Sequence, residues 1–194
     1  MKNLGIYIHI PFCVKKCLYC DFVSYENCNE VLIEKYIENL INEIKKKEER
    51  LKENNILEKK ESLKNYNVDT IYIGGGTPSF IDSKYIVKII NILKEKYNIE
   101  ENCEITIEVN PGIITKEKIE DYKKIGINRI SIGLQETNNN ILKTIGRRRR
   151  GVREENNIFK EIFKGVSSMS GPPHSFFTKA NLKKLSLLGN KFSG

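Results

Sequence analysis

The sequence holds no tryptophan and only two methionines and two histidines among its 194 residues. It has no apolar run of about 18 residues, so no transmembrane helix is expected. Nor does it open with a charged-then-apolar leader and cleavage site, because the one early apolar run, Gly5–Ile10, is too short. These absences predict a soluble, cytoplasmic protein. A reducing compartment would keep its five cysteines as thiols. Aromatic residues make up 9% and hydrophobic residues 39% of the chain, which allows one sizeable packed domain with a smaller apolar share than usual. No internal repeat is visible.

Evenly spread charge is also lacking. The net charge of +8 would suggest nucleic acid as a partner. Residues 147–194 carry 11 of the 33 Lys and Arg but 3 of the 25 Asp and Glu, so residues 1–146 are balanced. Five of the seven arginines, Arg147, Arg148, Arg149, Arg150 and Arg153, lie in that last part. Basic residues can meet phosphates, but no base-reading motif accompanies them. Nucleic acid is therefore not an expected partner.

What the chain does have is concentrated in Gly5–Phe22, GIYIHIPFCVKKCLYCDF. A short Ile-rich run, with Tyr7 and His9 alternating against Ile6, Ile8 and Ile10, predicts a buried strand that stops at Pro11. Cys13, Cys17 and Cys20 follow with the spacing Cys-x3-Cys-x2-Cys. Thiolates suit both iron–sulfur clusters and zinc. Closed zinc sites take four ligands, often as two Cys-x2-Cys pairs, and no second pair is present here. A cubane cluster on three thiolates leaves one iron open to a small molecule, which points to chemistry more than to a structural clip. Lys15 and Lys16 can be read as offsetting cluster charge or, by default, as solvated loop lysines.

Leu32, Ile33, Tyr36, Ile37, Leu40, Ile41 and Ile44 recur at helical spacing and predict a helix from about Asn29 to Asn54. The polar stretch from Asn54 to Asn67 reads as a loop or frayed helix end. Val68–Ile73 predicts a second strand, running into Gly74, Gly75, Gly76, Thr77, Pro78 and Ser79. Glycines after a strand let backbone approach a ligand closely, although a glycine turn alone is a weak signal. Asp82 predicts the cap of a helix reaching about Tyr97. Glu104–Val109 predicts a third strand, with Glu104, Thr106 and Glu108 on one side. Glu108 stands at a strand's C-terminal end, where barrel enzymes keep their sites, or else simply faces solvent. Thr115–Ile125 predicts a helix stopped by Gly126. Arg129–Gly133 predicts a fourth strand ahead of Gln135, and Asn138–Ile145 a helix closed by Gly146. Four strand–helix alternations imply a parallel sheet with outer helices. After Gly146 serine, glycine and proline rise, a short helical pattern at Ile158–Phe163 remains, and no further strand of the earlier kind is expected.

The cysteine loop resembles that of radical S-adenosylmethionine (SAM) enzymes. The words YIHIPFC and YCDF are similar to those of oxygen-independent coproporphyrinogen III oxidase and its heme-chaperone branch. The resemblance spans residues 4 to about 147 and implies an α/β fold, a partial radical SAM barrel of about four βα units. It implies that Cys13, Cys17 and Cys20 hold a 4Fe–4S cluster. It also implies SAM contacts at Tyr7, Tyr19, Gly75, Gly76, Thr77, Glu108, Gln135 and Arg147. An electron donor protein and heme or porphyrin are the implied partners, with heme a further implied cofactor.

The family's chemistry is reductive cleavage of SAM to methionine and a 5′-deoxyadenosyl radical. The oxidase turns that radical on coproporphyrinogen III propionates, whereas the chaperone branch binds and transfers heme. The oxidase branch carries another cysteine two residues after the third, whereas here the third cysteine, Cys20, is followed by Asp21-Phe22 in the chaperone-like word YCDF. His9 lies within the cluster word, and packing near cluster or SAM suits it better than heme ligation. Cys28 and Cys103 receive no role, Cys103 reading as a small buried hydrophobe. The expected division is a radical SAM core part at 1–147 and a basic, divergent tail at 148–194. The family's aspartate word for the next strand is replaced by Ser-Gly-Pro-Pro, so a changed reading frame or interrupted gene near Arg147–Arg150 is expected. An inactive truncated fragment is accordingly an alternative to either activity.

Overall fold

The computed structural model describes residues 2–110, 112–132, 144 and 184–187. Four strands and three helices alternate through its first 132 residues: β1 (Lys2–Ile10), α1 (Glu30–Glu53), β2 (Tyr66–Gly75), α2 (Ser83–Lys96), β3 (Asn98–Val109), α3 (Lys116–Lys124) and β4 (Arg129–Ile132). A further strand, β5 (Lys184–Leu187), completes a sheet ordered β4-β3-β2-β1-β5. Each neighbouring pair is parallel. Parallel neighbours cannot be joined by a tight turn, so a helix carries each crossover from β1 to β4.

Each helix starts where a short polar side chain accepts an otherwise unpaired amide. Asn29 accepts from Leu32 N at 2.9 Å, Asp82 from Lys84 N at 2.8 Å and Thr115 from Lys118 N at 3.4 Å. The apolar faces of α1 (Ile33, Tyr36, Ile37, Leu40, Ile44) and α2 (Ile86, Ile89, Ile90, Leu93) are buried. They belong to one core with Ile6, Ile8 and Ile10 of β1, Ile71 and Ile73 of β2, and Ile105, Ile107 and Val109 of β3. The other sheet face is polar, with Tyr7 paired to Tyr72 in register, Tyr72 to Thr106, and Glu108 to Ser131. Cys103 is buried in the core as expected, and burial pushes its thiol up to about 11.

Three strands are longer than their apolar patterns, β2 by two residues at each end. β1 begins at Lys2 and β3 at Asn98, because backbone pairing (Lys2 with Tyr66, Asn67 with Asn98) continues past the buried side chains. The polar stretch before β2 contains one 3-10 turn, Leu63–Asn65. The expectation of a tail without strands is corrected by β5, which lies along β1 with Gly5 opposite Lys184 and Ile8 opposite Leu187. Four residues are too short a pattern to read from sequence, and β1's outer edge supplies the ladder that makes them a strand. The helix expected at Asn138–Ile145 lies outside the described residues except for Thr144, which is helical. The pattern at Ile158–Phe163 also lies outside them. No described helix is long and apolar enough to cross a membrane.

Candidate functional site

The predicted site residues that the structure describes gather at the C-terminal ends of β1, β2 and β3, the end at which open α/β sheets and barrels carry their sites. Tyr7 Oη lies 3.0 Å from His9 Nδ1, and His9 Nε2 lies 2.9 Å from the carbonyl of Val23. A carbonyl only accepts, so Nε2 carries the ring proton and donates it to Val23 O. Nδ1 of the neutral ring then accepts from Tyr7. Both ring nitrogens are thereby engaged, and His9 links β1 to the far end of the cysteine loop. Tyr36 Oη donates to the His9 carbonyl at 2.6 Å, fixing the strand end from the helix side.

The loop is closed at its neck. Tyr25 N donates to Pro11 O at 2.7 Å and Cys13 N to Tyr25 O at 2.9 Å. Phe12, buried within the neck, meets Tyr36 edge-on at 5.2 Å. Beyond the neck the loop opens outward. Cys17 and Cys20 are half-buried, joined by the backbone bond from Cys20 N to Cys17 O at 3.1 Å. Leu18 is 80%, Tyr19 49% and Phe22 68% exposed. Lys15 and Lys16 are exposed, as solvated loop lysines would be.

The glycine segment packs against the neck from the other side. Gly76 N donates to Ile10 O at 2.9 Å and Thr77 N to Phe12 O at 2.8 Å. Thr77 Oγ1 lies 3.5 Å from Cys13 Sγ. Gly75 adopts φ +121°, and a Cβ there would meet the His9 ring at 2.7 Å. A Cβ on Gly76 would stand 2.8 Å from Phe12 O and 3.0 Å from Cys13 Sγ. The glycines are needed because His9 and the cysteine-loop backbone occupy the space of any side chain.

Glu108 closes the group. Its Oε1 accepts from Tyr72 Oη at 2.7 Å and its Oε2 from Gly75 N at 3.2 Å. Glu108 is therefore hydrogen-bonded through both oxygens within the fold and does not simply face solvent. Tyr72 stacks on Tyr7 at 6.1 Å between ring centroids. Burial, and then the Glu108 charge, push both Tyr7 and Tyr72 up to about 12. Tyr72 escaped the sequence reading because only the register of β1 on β2 puts it beside Tyr7.

The structure thus brings together Tyr7, Cys13, Gly75, Gly76, Thr77 and Glu108. Cys17, Tyr19 and Cys20 lie on the outward part of the loop, while Gln135 and Arg147 fall outside the described residues. Among the described residues, no three His, Cys, Asp or Glu side chains stand as a ready metal-holding group. The donor chemistry nevertheless fits a cluster: three free thiols in one loop are a soft ligand set of the iron–sulfur kind. A hollow of about 430 Å³ opens at the other end of the sheet, between Asn98–Cys103 and Gly126–Asn128, and none of the predicted site residues lines it.

A family model described as the Radical SAM superfamily matches residues 7–169. The chain belongs to the Radical SAM superfamily. The family implies a 4Fe–4S cluster and SAM. The chain is 42% identical over 147 residues to the heme chaperone HemW of Buchnera aphidicola subsp. Schizaphis graminum, covering 76% of this chain and 36% of the relative. It is 36% identical over 147 residues to the heme chaperone HemW of Escherichia coli K12, with the same coverage of each. Among solved structures it resembles coproporphyrinogen III oxidase (HemN) from Escherichia coli, described as a radical SAM enzyme. The TM-score is 0.70 and the identity 25%, covering 83% of this chain and 35% of that one. The chain spans about a third of the length of the curated relatives it matches.

Proposed function

We propose that this chain holds a 4Fe–4S cluster on Cys13, Cys17 and Cys20 and presents SAM to it, within a protein of heme-chaperone type that binds and transfers heme. The observation that carries the proposal is the junction of the two loops. The bonds from Gly76 N to Ile10 O and from Thr77 N to Phe12 O set the glycine segment beside the first thiol. Tyr7, Gly75, Gly76, Thr77 and Glu108 are the SAM contacts on the described strand ends, with Tyr19, Gln135 and Arg147 completing the set. The loaded pair supplies reductive cleavage of a sulfonium C–S bond, and an electron donor protein feeds it.

The chain's own residues orient that chemistry. Glu108 holds the Gly75 amide and Tyr72 in place. Glu108 retains lone pairs beyond these two bonds and can accept from a ligand. His9 fixes the loop exit through Val23, and with both ring nitrogens used it is not the heme ligand.

Asp21 and the identity to heme chaperones favour the chaperone type. The second reading, coproporphyrinogen III oxidation, is favoured by the structural likeness to that oxidase. The same proposal divides the chain into a radical SAM core part at 1–147 and a basic segment at 148–194.

Anaerobic reconstitution tests all of this. About four irons per chain and an EPR signal that shifts with SAM are expected. Stoichiometric heme uptake without porphyrinogen turnover then supports the chaperone type, and turnover supports the oxidase. A chain that holds no cluster, or one whose cluster ignores SAM, overturns the proposal and leaves the inactive-fragment reading.

A further inference from the structure

Lys118 is not among the residues that sequence reasoning selected, yet its ammonium group is fully engaged. Its Nζ donates to three backbone carbonyls in a row: Ser79 O at 2.8 Å, Phe80 O at 3.4 Å and Ile81 O at 2.9 Å. These carbonyls belong to the 3-10 turn Pro78–Phe80 and its C-cap Ile81, which follow the glycine segment directly. A short helical turn leaves its last carbonyls without partners. Ser79 is completely buried, so an unmet carbonyl there would carry the full desolvation penalty. An ammonium has three donors and no acceptor, and here it meets three acceptors. Its positive charge also faces the negative end of the turn's dipole, with Asp82 supplying a further negative charge nearby.

The backbone of Lys118 is held as well, since its amide donates to the Thr115 cap. The clamp is thus anchored in the first turn of α3. From the end of β3, Asn110 N donates to Ser79 Oγ at 3.0 Å and holds the same turn. At its front, the segment is held by the bonds of Gly75, Gly76 and Thr77 to Glu108, Ile10 and Phe12.

We infer that Lys118 is a positioning residue for SAM. It clamps the turn behind Gly75–Thr77 from α3 and so presets the backbone of the proposed SAM contacts Gly75, Gly76 and Thr77. The inference rests on the SAM-binding reading above. Lys118 does not touch the cofactor and acts through the three carbonyls. The device has a chemical requirement: the residue must donate several hydrogen bonds from the end of a long stem. Arginine meets that requirement in part, glutamine partly and without charge, and methionine not at all.

The test uses the whole reconstituted chain, with four readouts: iron per chain, EPR without SAM, SAM affinity by EPR titration, and amide hydrogen exchange of residues 74–81 against β1. Lys118→Met is expected to keep iron and the SAM-free signal while weakening SAM about tenfold or more. Exchange at 74–81 should accelerate about tenfold with β1 unchanged. Lys118→Arg should recover affinity to within about threefold of the parent, and exposed Lys123→Met should match the parent throughout. If Lys118→Met fails to fold, Lys118→Gln carries the test, with SAM weakened about threefold and local exchange raised. Parent-like SAM affinity in a folded Met or Gln variant overturns the inference, as does faster exchange spread equally over the sheet. A parent chain whose cluster does not respond to SAM sinks the SAM-binding reading, and this inference falls with it.

Discussion

Two loops leave the C-terminal ends of the neighbouring strands β1 and β2, and they are held in opposite ways. The glycine segment after β2 is buried or half-buried and tied at both ends, by Glu108, Ile10 and Phe12 in front and by Asn110 and Lys118 behind. The cysteine loop after β1 is closed at its neck by Tyr25 and by His9 through Val23, but its outer turn, with Leu18 and Phe22, projects into solvent. The difference follows what each would bind. A cofactor recognised by backbone needs that backbone set beforehand, and hydrogen bonds within the fold can set it. A cluster gathers its own ligands through metal–thiolate bonds stronger than any loop contact, so the protein need fix only the loop's ends.

Substituting on the outer turn should give the largest effect and confirm its independence from the fold. Cys17→Ser is expected to cut iron from about four per chain to near zero while leaving the melting temperature of the apo chain within about 2 °C of the parent, since half-buried Cys17 lies outside the packed core and such substitutions rarely move stability. A large drop in apo stability would mean that the outer turn is part of the packed structure after all.

The glycine segment should behave the other way. Gly76→Ala puts a Cβ against the backbone of Phe12, which cannot rotate aside. A cost of about 1–3 kcal/mol is expected, read as a lower midpoint in urea. Gly112→Ala, where the nearest atom is Asn110 Oδ1 at 3.5 Å, should be close to neutral. Equal midpoints for the two variants would mean that the glycine segment is not packed as tightly as its contacts require.

The smallest effect is a pH dependence. Tyr7 and Tyr72 ionise near 12 in the fold, against about 10 in an unfolded chain. Their contribution is fully present below pH 10 and is lost as pH rises toward 12, because the unfolded state releases its protons first. Glu108→Gln removes the second cause and leaves burial, so the alkaline loss of stability should become shallower without vanishing. Thermal melts between pH 9 and 12, with tyrosine ionisation followed by absorbance, check this. A steeper loss in the variant would overturn the assignment.

Much of this was legible in advance. Asp82 caps α2 as the sequence places it, and α1 and α3 begin after Asn29 and Thr115, where the sequence starts those helices, because capping is local chemistry between residues two or three apart. The cysteine spacing pointed to a metal loop by itself, whereas Gly75, Gly76, Thr77 and Glu108 were named through the resemblance, because a glycine turn or an acid at a strand end is too common a pattern alone. The starts of β1 and β3 were not legible, since Lys2 and Asn98 are strand residues only by virtue of partners in other strands. β5 escaped for the same reason.

What the sequence determined by itself was the alternation of strand and helix, the buried and polar faces, and the residue types that could serve a cluster and SAM. Periodicity and capping act over a few residues and leave their mark in the text. Only the tertiary structure decided that Tyr72 lies beside Tyr7, that Glu108 holds Gly75, that His9 reaches Val23 and that Lys118 closes on three carbonyls. Each of these joins residues from different elements or from opposite ends of a loop. Strand register and helix packing, not any local pattern, set the distances between them.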